Sequence, residues 1–307
     1  MTATQPQTQT VTLTHTSRLY PELHAAGEAG LPVLLVDNAL GRAVIALQGA
    51  HVLAFRPRGQ REMLWLSPKC KLQPGTAIRG GIPLCLPWFG PATDGSSPLH
   101  GFGRIMEWSL VAAEVCADGA TRVVLELAGD DQVSALWPHA FSFRLEVVVS
   151  SKLGLTLSAE NRSAAAAPFA FAYHTYFAVP NVADARVAGL ENTTFIDKTD
   201  NMARKIQQGE VVITALTDRV YLDVPAVQTL KNAAGDVKIE SDAKCAVVWN
   251  CWTNDKNMAD LGEGNHVGYI CVERCDAADR AETIVASSQQ ASGVSLLVQI
   301  VPDNVIR

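Results

Sequence analysis

Three stretches of this 307-residue chain carry side chains able to do chemistry together. The first reads Ile78-Arg79-Gly80-Gly81-Ile82-Pro83-Leu84-Cys85-Leu86-Pro87-Trp88-Phe89-Gly90-Pro91 and resumes at Leu99-His100-Gly101-Phe102-Gly103-Arg104. Glycine opens backbone angles closed to other residues and lets a ligand approach the main chain. Proline fixes φ and interrupts regular pairing. The run is therefore poorly suited to a plain helix or strand, yet Arg79 and Arg104 offer guanidinium forks that can grip an oxyanion in bidentate fashion. These features predict the wall of a pocket for an anionic ligand.

The second stretch is Phe169-Ala170-Phe171-Ala172-Tyr173-His174-Thr175-Tyr176-Phe177. Read as one strand, it puts Phe169, Phe171, Tyr173 and Phe177 on one face and Ala170, Ala172, His174 and Tyr176 on the other. The small alanines predict open volume in front of His174, although the stretch taken alone fits a hydrogen-bonded core or rim histidine better. The third stretch is Tyr269-Ile270-Cys271-Val272-Glu273-Arg274-Cys275. A carboxylate in so apolar a strand is either ion-paired, with Arg274 as the nearest cation, or held with a perturbed proton affinity. If His174 and Glu273 converge they form an acid/base couple that their surroundings can tune toward neutral pH.

Other chemistries lack support. There is no G-x-S-x-G, no H-E-x-x-H, no P-loop, and no G-x-G-x-x-G ahead of a helix. His51, His139 and His266 are scattered, so no metal is expected. A net charge of -6 and a pI near 5.6 exclude the broad basic surface of a sequence-independent nucleic-acid binder, while local arginines still suffice for a small anion. The seven cysteines show no C-x-x-C spacing and read as core or strand thiols of a reducing compartment. No apolar run approaches the ~20 residues needed to cross a bilayer. The Thr/Gln-rich start has neither a basic segment nor an apolar one to act as a secretory signal. A flexible tail over 1–15, one domain over 16–307, a cytoplasmic location and a monomer are the expectations.

The elements that must position these residues are strands. Hydrophobic residues make up 48% of the chain and charged ones 18%, enough for a large core. Short β-type runs lie at 33–36, 43–55 and 62–66, with turn residues between them. Runs at 108–115 and 122–127 flank Asp118-Gly119, a hairpin signal. Over 141–149 and 155–160 apolar and polar residues alternate around Lys152-Leu153-Gly154, which predicts half-buried antiparallel strands. Further runs fall at 219–224, 237–240, 245–249, 268–273 and 294–301. Helix signals are confined to 131–136 and an ambiguous 277–285. Many short strands without a fixed repeat predict an all-β sandwich.

The blocks just quoted, together with Phe195-Ile196-Asp197-Lys198, Asp218-Arg219-Val220-Tyr221 and Val248-Trp249-Asn250, follow one another in an order that resembles the D-hexose-6-phosphate mutarotases (glucose-6-phosphate 1-epimerases) of the aldose 1-epimerase superfamily. The likeness spans roughly residues 30 to 275; each block is weak and the ordered set is specific. The resemblance implies a galactose-mutarotase-like β-supersandwich of antiparallel strands. It makes His174 and Glu273 the catalytic pair, gives the sugar phosphate to Arg79 and Arg104, assigns a sugar contact to Asp218, and has His100 shape the site. It also implies interconversion of the α and β anomers of a hexose 6-phosphate without any cofactor, with a small sugar phosphate as the partner. Three departures stand out. Leu99 replaces a Gln common before the His-Gly, Cys251 replaces a Pro after Trp249-Asn250, and Ser287-Ser288-Gln289-Gln290 lies where relatives carry a Pro-Gly segment, which predicts an altered loop near the site. An epimerase of unphosphorylated sugar, a carbohydrate-binding sandwich using Trp88 and Phe89, and a partner-binding β-protein are the alternatives.

Overall fold

The computed structural model describes residues 10–92, 98–129 and 136–299. The architecture is antiparallel throughout. A nine-stranded sheet and an eight-stranded sheet are accompanied by a four-stranded sheet built from the first strands, Val11–His15, Pro32–Asp37, Gly41–Ala46 and His51–Pro57, and by a small pair, Ala167–Phe169 with Glu282–Ile284. One cluster of buried side chains runs from Leu34 to Leu296 and draws on every one of these sheets. No helix among the described residues is long and apolar enough to cross a membrane.

Alternation explains the nine-stranded sheet directly. Phe141–Val149 and Leu153–Asn161 pair in continuous register, with Phe141, Phe143, Leu145, Val147 and Val149 buried. The turn at Asp118-Gly119 joins Ser109–Val115 to Thr121–Ala128, with Gly119 at φ 83°. This is the hairpin that the Asp-Gly signal predicts.

Several expectations change. Val11–His15, placed in the tail, is a strand paired to Pro32–Asp37, because its backbone completes an otherwise open sheet edge. Residues 62–66 make only isolated bridges, Leu64 to Phe177 and Leu66 to Gly80. The segment 277–285 is one 3-10 turn, Ala278–Arg280, and the short strand Glu282–Ile284. Ser288–Gln299 is a strand between Leu153–Asn161 and Asp236–Ser241, so Ser288, Gln289 and Gln290 form no loop beside the candidate site. The possible helix at 131–136 falls almost wholly outside the described residues.

The eight-stranded sheet carries the chemistry. Its order runs Ala203–Ile206, Thr194–Asp197, Thr217–Tyr221, Cys245–Asn250, Tyr269–Asp276, Phe171–Tyr173 and Leu84–Cys85, with Tyr176–Ala178 also paired to Tyr269–Asp276. Every residue of Tyr269–Asp276 is buried, so both faces of this strand are covered.

Candidate active site

The second informative stretch is not one strand. Its ladder breaks at His174 and Thr175, where the His174 N–H donates to the Pro83 carbonyl instead (3.0 Å). The register is nevertheless the same on both sides of the break: Tyr173 faces Arg274 and Tyr176 faces Cys271. His174 therefore falls directly opposite Glu273. Its Nδ1 lies 3.3 Å from Glu273 Oε1.

Two neighbouring cross-sheet rows on one face make the floor. Asp218, Trp249, Cys271 and Tyr176 pair in sequence across four strands, and the adjacent row is Val220, Val247, Glu273 and His174. Residues two apart on a strand share a face, so both rows point the same way. The walls come from residues 79–91 and 98–104 and from the turn at Met258 and Asp260.

Together these surround a cavity of about 290 Å³ lined by Arg79, His100, Arg104, His174, Asp218 and Glu273. All six residues singled out from the sequence thus meet in one place. Phe89, Leu99, Lys198, Val247, Trp249 and Met258 are also part of the lining.

Two glycines let the wall close in. Gly81, at φ 63°, lies so near Val52 that a Cβ would meet its carbonyl oxygen at 2.4 Å, and one on Gly101 (φ 72°) would meet the Leu86 oxygen at 2.0 Å. His100 itself takes φ 63°, an uncommon left-handed conformation for a residue with a Cβ. It is held there by exchange with Gly90: the His100 N–H donates to the Gly90 carbonyl (2.7 Å), and the Gly90 N–H donates to His100 Nδ1 (3.1 Å). An accepting Nδ1 fixes the neutral tautomer with its proton on Nε2. Burial, aided by Arg104, Lys198 and Arg79, lowers the ring's pKa to about 3. A neutral hydrogen-bond donor results.

The cations are held differently. Arg79 donates through Nε to Asp260 Oδ2 (3.0 Å) and through Nη1 to the Tyr176 hydroxyl (3.0 Å), and Nη2 lies 2.9 Å from the same carboxylate. With five N–H donors on a guanidinium, two remain for a ligand. Arg104 donates to the Leu99 carbonyl (2.8 Å), and no carboxylate among the described residues pairs with it. Lys198 is 2.9 Å from Asp218. The cavity thus holds more positive charge than negative, even in a chain of net charge -6.

Burial dominates the central pair. It pushes the Glu273 carboxyl well above its ordinary range, with Asp218 adding and Lys198 and Arg104 opposing. It pushes His174 well below, reinforced by His100, Arg104 and Arg79. Both effects favour a neutral imidazole beside a neutral carboxylic acid. Tyr176 stacks on the His174 ring (4.9 Å, 6° between planes) and Trp249 meets it edge-on at 6.1 Å, which fixes the imidazole's orientation.

Some sequence-level readings need correction. Arg274 does not neutralise Glu273: it points to the opposite face, where it donates to Gln228 Oε1 (2.5 Å) and to the carbonyls of Pro225, Ala226 and Ala243. Neither alanine lines the cavity that holds His174. Ala172 packs against Cys85, and the Ala170 N–H bonds the Pro87 carbonyl, so their small size admits the neighbouring 84–87 segment instead. Trp88 lies outside the cavity and donates to the Pro98 carbonyl (3.0 Å), leaving Phe89 alone of the aromatic pair on its wall. His51 donates to the Gly80 carbonyl (2.7 Å), and His266 lies 2.6 Å from Asp255; neither lines the cavity.

Asp260 was missed because Met258-Ala259-Asp260-Leu261 carries no periodic or motif signal. Lys198 and Trp249 sat in quoted blocks without an assigned role.

The sequence pattern of the aldose 1-epimerase family matches residues 32–287. A protein of Escherichia coli (strain K12), provisionally named glucose-6-phosphate 1-epimerase, is 33% identical over 254 residues, covering 81% of this chain and 84% of that one. A protein of Cenchrus ciliaris with the same provisional name is 35% identical over 246 residues, covering 75% and 74%. The crystal structure of a Salmonella typhimurium protein, described provisionally as a mutarotase, superposes with a TM-score of 0.82 at 30% identity, over 88% of this chain and 90% of that one. A galactose mutarotase related enzyme from Lactobacillus acidophilus shares the fold at a TM-score of 0.68 and 15% identity, over 87% and 97%. With the family pattern covering most of the length and the same all-β architecture in its relatives, the chain belongs to the aldose 1-epimerase family.

Proposed function

We propose that this protein interconverts the α and β anomers of a hexose 6-phosphate, with glucose 6-phosphate as the leading substrate. The observation that carries this reading is the convergence of His174 and Glu273, 3.3 Å apart, in a cavity that also presents Arg79 and Arg104. Ring opening requires one proton to leave the C1 hydroxyl and one to reach the ring oxygen. Glu273 takes the first and His174 gives the second. The proton count closes when the pair starts neutral. Nε2–H of His174 donates to the ring oxygen, Nδ1 receives the proton of Glu273, and the freed carboxylate takes the C1 proton. The imidazole ends in its other tautomer and no net charge is created on the buried pair, where isolated charge is costly. The open aldehyde then turns its other face, and closure reverses each transfer.

The remaining residues bind and orient. Arg79 and Arg104 hold the phosphate, Asp218 accepts from sugar hydroxyls, and the His100 Nε2–H is a fixed neutral donor. Neither electrons nor groups are transferred between molecules, so the reaction itself calls for no cofactor. The substrate is small and diffusible, and we take the protein to act as a cytoplasmic monomer. Acid/base positioning contributes ~10²–10⁴-fold in typical cases. The deciding experiment is anomer-exchange NMR on glucose 6-phosphate and on glucose, with and without the protein. Faster exchange on the phosphorylated sugar is the expected result. Equal acceleration on both would remove the phosphate role, and binding without acceleration would reduce the site to a sugar-binding module.

A further inference from the structure

We propose that His174, Cys271 and Glu273 form an inhibitory site for a thiophilic divalent cation such as Zn2+. One nitrogen, one sulfur and one oxygen donor from these residues lie within 4.8 Å of one another. All three residues are buried, and the register fixes their positions: Cys271 and Glu273 sit two apart on Tyr269–Asp276, and His174, in the break between Phe171–Tyr173 and Tyr176–Ala178, lies opposite Glu273. In a tetrahedral site with ordinary zinc–ligand bonds the donors stand roughly 3.5 Å apart. Closing from the present spacing takes side-chain rotations of about 1 Å, without a change of strand register.

A second observation points to a ligand. His174 Nδ1 and Glu273 Oε2 are buried without any hydrogen-bond partner among the described residues. Native structures seldom leave such atoms unpaired. Here both are lone-pair donors on the same small cluster. The fourth position opens toward the cavity, because His174 and Glu273 line it, whereas Cys271, beside them on the same face, is covered by Tyr176 and Trp249. Three protein ligands with one open position is a familiar zinc arrangement, and sulfur with imidazole selects soft or borderline ions over Mg2+.

Arg79, Arg104 and Lys198 repel a cation, and the balance of the binding step answers this. Zn2+ displaces the thiol proton of Cys271 and the carboxyl proton of Glu273, and two protons leave to solvent. Thiolate and carboxylate then cancel the dipositive charge, so the occupied site is neutral. An ion held there occupies the lone pairs that would carry the sugar's protons, and it excludes the sugar ring. Inhibition is therefore competitive with substrate and reversed by chelation.

The inhibition arm rests on the anomer-exchange reading, and a spectroscopic arm does not. In the first, Zn2+ is added to the full chain during exchange of glucose 6-phosphate, with Mg2+ as control and EDTA to reverse. Cys271→Ser should require about 100-fold more Zn2+ for half-inhibition, measured against its own metal-free rate, since even outer-shell partners are worth 10–100-fold in affinity. In the second, Co2+ added to the wild-type chain should give the charge-transfer absorption of a cobalt–thiolate bond, lost on adding Zn2+ and absent from Cys271→Ser. Equal Zn2+ sensitivity of wild type and variant would overturn the proposal, as would Co2+ binding without a thiolate band. If the variant fails to fold, the wild-type Co2+ spectrum decides. A chain inactive on glucose 6-phosphate that still shows the band would sink the functional reading and leave the metal site standing.

Discussion

Two antiparallel pairs in this molecule look alike in sequence and do opposite work. The hairpin Phe141–Val149 with Leu153–Asn161 buries one face and leaves most of the other half-buried, and its residues include none of the unpartnered buried polar atoms of the described chain. The pairing of Tyr269–Asp276 with Phe171–Tyr173 and Tyr176–Ala178 buries both faces, interrupts its ladder at His174, and leaves His174 Nδ1 and Glu273 Oε2 without partners. An unpaired buried polar group costs about 1–3 kcal/mol. The difference teaches that the hairpin is optimised for cohesion, whereas the second pair carries a local cost in order to keep lone pairs available.

The sharpest way to break that comparison is to remove the acid/base groups. Glu273→Gln and His174→Asn should each slow anomer exchange by ~10²–10⁴-fold, while thermal unfolding of Glu273→Gln stays near the wild-type midpoint because an amide of the same shape replaces the carboxylic acid. Near-normal exchange in either variant would erase the functional contrast. The hairpin should respond the other way. Leu145→Ala, at a fully buried position, should cost about 2–5 kcal/mol in urea unfolding, with exchange per folded molecule unchanged. A loss of turnover in that variant would show that the two regions are not separable.

Smaller changes sharpen the account of the cavity wall. Arg104→Ala should weaken glucose 6-phosphate by about 1.5–3 kcal/mol, the usual worth of a hydrogen bond to a charged group, and leave free glucose nearly unaffected in KM measurements. Arg79→Ala should act in the same direction but less strongly, since Asp260 already shares its charge. Asp260→Asn should be mildest, roughly three- to fivefold in KM for the phosphorylated sugar, as expected for a partly exposed ion pair. A larger effect from Asp260→Asn than from Arg79→Ala would mean that the carboxylate meets the substrate itself.

How far the sequence spoke depended on periodicity. The 141–161 hairpin was legible because each residue's face follows from its parity and the turn fixes the register. Glu273 was legible as an oddity for the same reason: a lone carboxylate among Ile270, Val272 and Cys271 stands out. That it meets His174 was implied by the resemblance, but residue spacing alone could not show it. Arg274 is adjacent in sequence, but parity sends it to the opposite face, while His174 is brought opposite by pairing of strands about a hundred residues apart. Asp260 stayed hidden because it acts from a turn, where no period marks a functional side chain. Ser288, Gln289 and Gln290 were misplaced because the departure from the relatives' Pro-Gly segment suggested a loop and said nothing of the neighbours that recruit them into a strand.

The amino-acid order by itself determined the all-β class, the main hairpins, and the arginine, histidine and glutamate equipment of the site, because these follow from local alternation, turn chemistry and residue type. Only the tertiary structure decided that Asp218, Trp249, Cys271 and Tyr176 form one row, that Glu273 and His174 meet in the next, and that Asp260 restrains Arg79. Strand order and register across a sheet are set by how distant apolar faces bury one another, a property of the whole chain that no single stretch contains.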